Sequence, residues 1–334
     1  MAIAPEKPRM VADSAASSRS VRAPVALAKP TRAHRITREL RSQWILYLMI
    51  LPGVIYFAVF RYYPMYGAII AFKDYRVLDG ILGSPWVGLD HFREIFNSTY
   101  FANIMRNTLL ISVYRFLFGI PVGIALALML NEVRIGWFKK SVQTITYLPH
   151  FLSWVIVFGV LQVMLSSPNG LLNRPIVAAG ADPINFLANP DWFRTVLVTS
   201  GMWKEVGWSA IIYLAALAAV STELYEAAAV DGASRLRRIK DISLPSIMPV
   251  VMLVALLNLG NLLSAGFEQV FIMYNPAVYS VGDIIDTWVY RQGIAGFQYS
   301  VGAAVGLFKG VIGMFLIVFC NWVARRTTGK GIIW

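Results

Sequence analysis

The chain has 334 residues, of which 57% are hydrophobic and 14% charged, and its net charge is +12. Soluble domains devote about a quarter of their residues to charge, so a mean hydropathy of +0.59 indicates an integral membrane protein, read as all-α from the long apolar runs below, and excludes an ordinary soluble enzyme. A single cysteine, Cys320, excludes a disulfide framework within one chain. Three scattered histidines (His34, His91 and His150) offer no ligand spacing and hence no metal site.

Residues 1–42 are rich in Ala, Pro, Ser and Arg and lack apolar periodicity. They lack the apolar run of roughly seven residues and the small-residue cleavage site that a secretory signal needs. This is read as a basic cytoplasmic tail, disordered or lying on the membrane surface with Arg32, Arg35, Arg38 and Arg41 toward anionic membrane lipid. A six-helix membrane domain over 43–326 follows. Its spans are predicted at Trp44–Phe60, Thr108–Leu130, Ser141–Leu165, Trp192–Val220, Ile247–Met273 and Ser300–Val323, each long enough to cross a hydrocarbon layer of about 30 Å. Gly119 and Pro121 are expected to interrupt the second span, and Pro52-Gly53 to kink the first. Residues 62–105 are too polar to span and are placed outside as a cap, with short helices at Leu89–Phe96 and Tyr100–Met105.

Lys and Arg number nine in residues 1–43, three in 131–141, four in 221–246 and three after residue 324. The opposite connections hold only Lys73, Arg76, Arg93, Arg174 and Arg291 in their middles. Basic loops stay in the cytoplasm, so both termini, the short 327–334 tail and the 221–246 loop are placed inside a cytoplasmic (inner) membrane. The positive charge therefore flanks spans, and no nucleic acid partner is implied.

The 221–246 loop carries the most specific pattern in the chain. Glu226-Ala227-Ala228 is followed after four residues by Gly232, then ten residues on by Ile242-Ser243-Leu244-Pro245. Good helix formers run up to Val230, Gly232 suits a left-handed helix stop, and Pro245 suits the first turn of a new helix. The result is a helix–turn–helix with a close-packing alanine face and a basic rim of Arg235, Arg237, Arg238 and Lys240.

This pattern resembles the EAA loop by which permease subunits of ABC importers dock onto their ATP-hydrolysing subunits. Further runs are similar to the branch that imports oligosaccharides and polysaccharide fragments, alginate among them: Leu51-Pro52-Gly53, Pro64-Met65-Tyr66-Gly67, Asn258-Leu259-Gly260, Gly266-Phe267-Glu268-Gln269-Val270, Asn275-Pro276, Asp283-Ile284-Ile285-Asp286-Thr287 and Gln298-Tyr299-Ser300. The resemblance, which covers the chain from about Trp44 onward, implies a type I ABC importer permease fold with six transmembrane helices and a cytoplasmic coupling helix. It implies a second homologous permease subunit, two ATPase subunits that bind the ATP and Mg, and an extracytoplasmic solute-binding protein. This chain itself would be non-catalytic and bind no cofactor. By that resemblance Glu226, Ala227, Ala228, Asp231, Gly232, Ala233, Ser234 and Arg235 form the ATPase-coupling surface.

Charged residues inside spans are costly and often functional. Arg115, Lys204, Glu205 and Glu268 are therefore candidates for the substrate passage, with Trp208 and Tyr213 (and Trp203) as candidate sugar-stacking rings. Lys309 either lines the passage or snorkels. Gly302, Gly306, Gly310 and Gly313 fall near one face of the last span and predict close helix packing. The main competitor is an ion-coupled secondary transporter, which would show inverted repeats that this sequence lacks. A membrane enzyme would need clustered carboxylates or a nucleophile beside a base, and neither spacing occurs.

Overall fold

The computed structural model describes residues 43–328 except Asn261; the predicted tails over 1–42 and beyond residue 328 lie outside the described residues. The chain divides into two units, Met1–Tyr63 and Pro64–Trp334. In the first, α1 spans Trp44–Phe57 and passes into a π-helical turn at Ala58–Tyr62. Its apolar side chains are exposed throughout.

The second unit is built from helices among the described residues, with one isolated bridge, Lys73 to Trp86. Its long elements are α2 (Thr99–Glu132), α3 (Gly136–Tyr147), α4 (Trp154–Leu165), α5 (Pro190–Ala218), α6 (Thr222–Val230), α7 (Leu244–Gly260), α8 (Phe267–Met273) and α9 (Tyr299–Thr328). Four helical runs are long and apolar enough to cross a membrane, namely Trp44–Phe72, Thr99–Glu132, Arg235–Gly260 and Tyr299–Trp322. The count reaches six if the two bent pairs, Gly136–Phe151 with Trp154–Leu165 and Pro190–Ala218 with Thr222–Val230, each make one span. Large apolar side chains such as Leu117, Met129, Met314 and Phe315 remain exposed, which a helix facing lipid or another membrane subunit tolerates and a soluble one does not.

Several boundaries differ from those expected. Pro121 does not interrupt α2, which is one helix of 34 residues. The separate helix expected at Tyr100–Met105 is simply its first turns, started by the Ser98 side chain accepting from the Phe101 N–H. The third span is broken instead: α3 ends in a 3-10 turn at Leu148–Phe151, and α4 leaves at 108° after Ser153 caps its N-terminus. Pro149 removes the N–H that would have continued the ladder. The fifth span also breaks, after Gly260, through a 3-10 turn at Leu262–Ser264 and a left-handed Gly266 (φ 75°). Pro245 sits inside a helical run that begins at Arg235, just after a π-helical turn at Ile239–Ser243. The wider turn accommodates the ladder position that proline cannot fill.

α2 and α5 form the most extensive helix pair. Ala127, Ala210, Tyr213, Leu217 and Ile247 join α2, α5 and α7 at one level. At another, Ile111, Phe193, Leu197, Val270 and Met273 join α2, α5 and α8. In the last helix, Gly302 lies against Gly293 and Gly313 faces the Gly260 carbonyl, whereas Gly306 and Gly310 border open space. The predicted glycine contact is therefore made at the two ends only.

Candidate functional site

The 221–246 loop is a two-armed elbow whose geometry follows from its residues. Ser221 caps α6 by accepting from the Glu223 N–H. The helix stops at Gly232, whose φ of 72° would cost a residue with a Cβ roughly 1 kcal/mol or more. The Gly232 N–H donates to the Ala229 carbonyl and the Ala233 N–H to the Ala228 carbonyl, the paired bonds of a glycine-ended helix. Ser234 then caps Arg235–Arg238 by accepting from the Arg237 N–H. The Tyr225 hydroxyl and Ser243 Oγ, 2.9 Å apart, tie the arms together. Glu226, Ala227, Asp231, Gly232, Ser234 and Arg235 are exposed, and Ala228 and Ala233 half-buried. Leu224, Val230 and Leu236 are exposed beside them, so the elbow offers a mixed apolar and charged surface.

The elbow is also a joint. Its first arm follows α5 through a 72° bend, and its second continues into the run Arg235–Gly260. Both of those helices wall a hollow of about 480 Å³: α5 through Met202, Glu205, Trp208, Ser209 and Tyr213, and α7 through Val254, Leu257 and Asn258. Ser112, Arg115, Gly119, Ala265 and Gly266 close other sides. A second hollow of about 390 Å³ shares Arg115, Gly119, Met202, Glu205 and Gly266 and adds Trp154, Glu268 and Gln269.

Residues 119–329 match the family described as binding-protein-dependent transport system inner membrane component. The chain belongs to that family. The permease is 46% identical over 304 residues to the polygalacturonan/rhamnogalacturonan transport system permease protein YteP of Bacillus subtilis (strain 168), covering 91% of this chain and 95% of that protein. It is 44% identical over 292 residues to Protein LplB of the same organism, covering 87% and 92%. Its fold is similar, with a TM-score of 0.82 and 40% identity, to a chain in the crystal structure of a bacterial alginate ABC transporter in complex with an alginate pentasaccharide-bound periplasmic protein, covering 89% of this chain and 99% of that one.

Of the passage candidates in this permease, Arg115, Glu205, Trp208 and Tyr213 border the larger hollow, and Arg115, Glu205 and Glu268 the smaller. Lys204 is not brought to either. It is buried on another face of α5, donating to the His150 carbonyl at 2.7 Å and lying over the Trp154 ring. Glu205 reaches His150 Nδ1 at 2.9 Å and Lys204 Nζ at 3.8 Å. Trp208 stacks on the His150 ring at 4.4 Å. The break between α3 and α4 is thus pinned to α5 by a histidine that sequence spacing alone gave no role. Trp203 is exposed and borders neither hollow. Lys309 borders neither of these hollows and binds Asp286, at 2.6 and 2.7 Å.

Three further features escaped sequence reading. Gln269, fully buried, accepts from the Arg115 guanidinium and donates to the Leu197 carbonyl and Ser200 Oγ. Ser112 lies one helical turn before Arg115 on the same wall. Asp283, fully buried, accepts from Tyr100, Thr287 and Arg291 at 2.6, 2.7 and 2.6 Å. Burial alone would lower the Arg291 guanidinium, but Asp283 outweighs it and holds it above its ordinary value. The signal for the last was the Asp283–Thr287 run, which is a brace between α2 and the turns before α9. The first two had no local signal: the partners of Gln269 lie far along the chain, and Ser112 Oγ is without a hydrogen-bond partner among the described residues.

Proposed function

We propose that this permease is one of two membrane subunits of an ATP-driven importer that carries an acidic oligosaccharide, with the hollows beside Arg115 forming part of the passage. A solute-binding protein would deliver the sugar from outside. Two ATPase subunits would bind ATP and Mg beneath the elbow, and both termini of this chain would lie on that side. The observation that carries the reading is that the elbow joins two helices, α5 and α7, that both wall the larger hollow. A push on the exposed elbow is therefore delivered to two walls of the passage at once, and packed helices shift between discrete arrangements rather than flexing smoothly. The acidic character of the sugar is supported by the polygalacturonan/rhamnogalacturonan and alginate that name the similar transporters and by the Arg115 cation in the shared wall.

Glu226 and the basic rim supply charges for partner recognition, and the small side chains of Ala227, Ala228 and Ala233 allow close backbone approach. The test is site-directed crosslinking in the assembled complex: Ser234→Cys or Ala227→Cys, each in a Cys320→Ser background. Crosslinks to the ATPase that respond to ATP support the reading. An intact complex that imports an oligogalacturonate but gives no crosslink from either position contradicts it.

A further inference from the structure

Among the described residues, the buried side-chain polar atoms left without a partner are Ser112 Oγ, Arg115 Nε and Tyr213 Oη. All three belong to residues that wall the same 480 Å³ hollow, and Ser112 and Tyr213 are only 5% and 1% exposed. Buried polar groups are normally satisfied, and a buried cation normally has a counter-anion. Arg115 is half-buried with its Nε enclosed: Gln269 Oε1 takes one of the five donors of its guanidinium, Glu205 acts on it electrostatically without an ion-pair contact, and none of the ion pairs among the described residues includes it.

The seat of this cation is nonetheless built. At Gly266 a Cβ would run into the Arg115 guanidinium, with Cζ at 2.7 Å, and at Gly201 it would crowd Gln269 Oε1 at 3.2 Å with Arg115 Nε at 3.7 Å. Two glycines make room for the flat group, and a glutamine with three further anchors fixes its plane. Lys309 on the last span has its carboxylate, Lys204 has Glu205 at 3.8 Å, and Arg194 has the Val281 carbonyl and Asn107 Oδ1; Arg115 borders the hollows with no carboxylate in contact among the described residues. Of the acids nearby, Glu205 is already engaged by His150 and Lys204, and Glu268 is exposed and borders only the smaller hollow.

We infer that Arg115, positioned by Gln269 between Gly201 and Gly266, binds the carboxylate of a uronic acid unit as it passes the wall shared by the two hollows. A planar fork of donors matches a carboxylate in a way that no hydroxyl of a neutral sugar does. Ser112 and Tyr213 supply hydroxyls for the sugar hydroxyls, and the exposed Trp208 ring supplies a flat apolar face. The inference rests on the import reading above and adds the group that sorts acidic from neutral sugars, with Gln269 as its positioning residue.

The test uses the complete complex with its binding protein in liposomes, and two probes: an oligogalacturonate and its carboxyl-reduced counterpart. Each variant is compared with wild type on each probe separately, so any preference of the binding protein cancels. Arg115→Gln is expected to lower uptake of the acidic probe at least tenfold, leaving the reduced probe within twofold. Arg115→Lys is expected to restore part of the loss. Gln269→Leu is expected to lower acidic uptake about threefold by releasing the guanidinium. An assembled complex in which Arg115→Gln depresses both probes alike overturns the inference and makes Arg115 a brace or a partner of an acid on the second permease. Undiminished acidic uptake in Arg115→Gln also overturns it. A wild-type complex that carries neither an oligogalacturonate nor an oligomannuronate overturns the import reading itself.

Discussion

The elbow and the cavity wall solve opposite problems. The elbow is exposed, local and set by backbone requirements: two serine caps, one left-handed glycine, and bonds spanning two to five residues, closed by the Tyr225–Ser243 tie. The wall around Arg115 is assembled from α2, α5 and the break before α8, and its central contact joins residues 154 positions apart. The surface proposed to meet a partner is specified by its own local sequence. The surface proposed to meet a ligand is made by packing and holds polar atoms without partners among the described residues. The contrast between Lys309 and Arg115 repeats the point inside the membrane domain, since one cation is paired with a carboxylate and the other is seated but unpaired.

The largest expected effect comes from breaking the elbow where it is most local. Proline cannot adopt the φ of 72° found at Gly232, so Gly232→Pro should cut uptake about 100-fold or more while the protein still inserts and copurifies with its ATPase. Transport and ATP hydrolysis measured on the same proteoliposomes check this. Next comes the wall: Gly266→Val places a branched side chain where the Arg115 guanidinium lies, and uptake of an acidic oligosaccharide should fall about tenfold, with ATPase coupling through the elbow preserved.

Smaller effects sharpen the pairing contrast. Lys309→Met leaves Asp286 without its cation and should destabilise the detergent-solubilised protein by about 2 kcal/mol, whereas Lys309→Met with Asp286→Leu should recover most of that. Thermal unfolding of the two variants decides the matter. The smallest change is Ser234→Ala, which removes one cap bond and should cost about 0.5–1 kcal/mol of local helix stability, seen as faster amide exchange over Arg235–Arg238.

The same division explains what could be read in advance. The elbow was legible because Gly232 and Ser234 act within one turn of their own positions, and long apolar runs located the membrane helices. The break at Pro149 was less legible, because a proline within an apolar run is tolerated in α2 at Pro121 and not in α3; the difference is Ser153, which starts a fresh helix four residues on. Arg115 could be suspected as a charge in a span, but Gln269 as its holder could not, since no local pattern ties the two. Lys204 lies off these hollows because adjacent residues on a helix point about 100° apart, so Glu205 borders them while Lys204 turns to the His150 carbonyl.

On the proposed mechanism the elbow moves the two helices that wall the larger hollow. The direct measurement is the distance between spin labels at Met202 on α5 and Leu257 on α7, in a Cys320→Ser background, with the full complex either nucleotide-free or trapped with ATP. The account predicts a change of several ångströms between the two states that disappears in Gly232→Pro. An unchanged distance in the active complex, or a change that persists undiminished in Gly232→Pro, would contradict it.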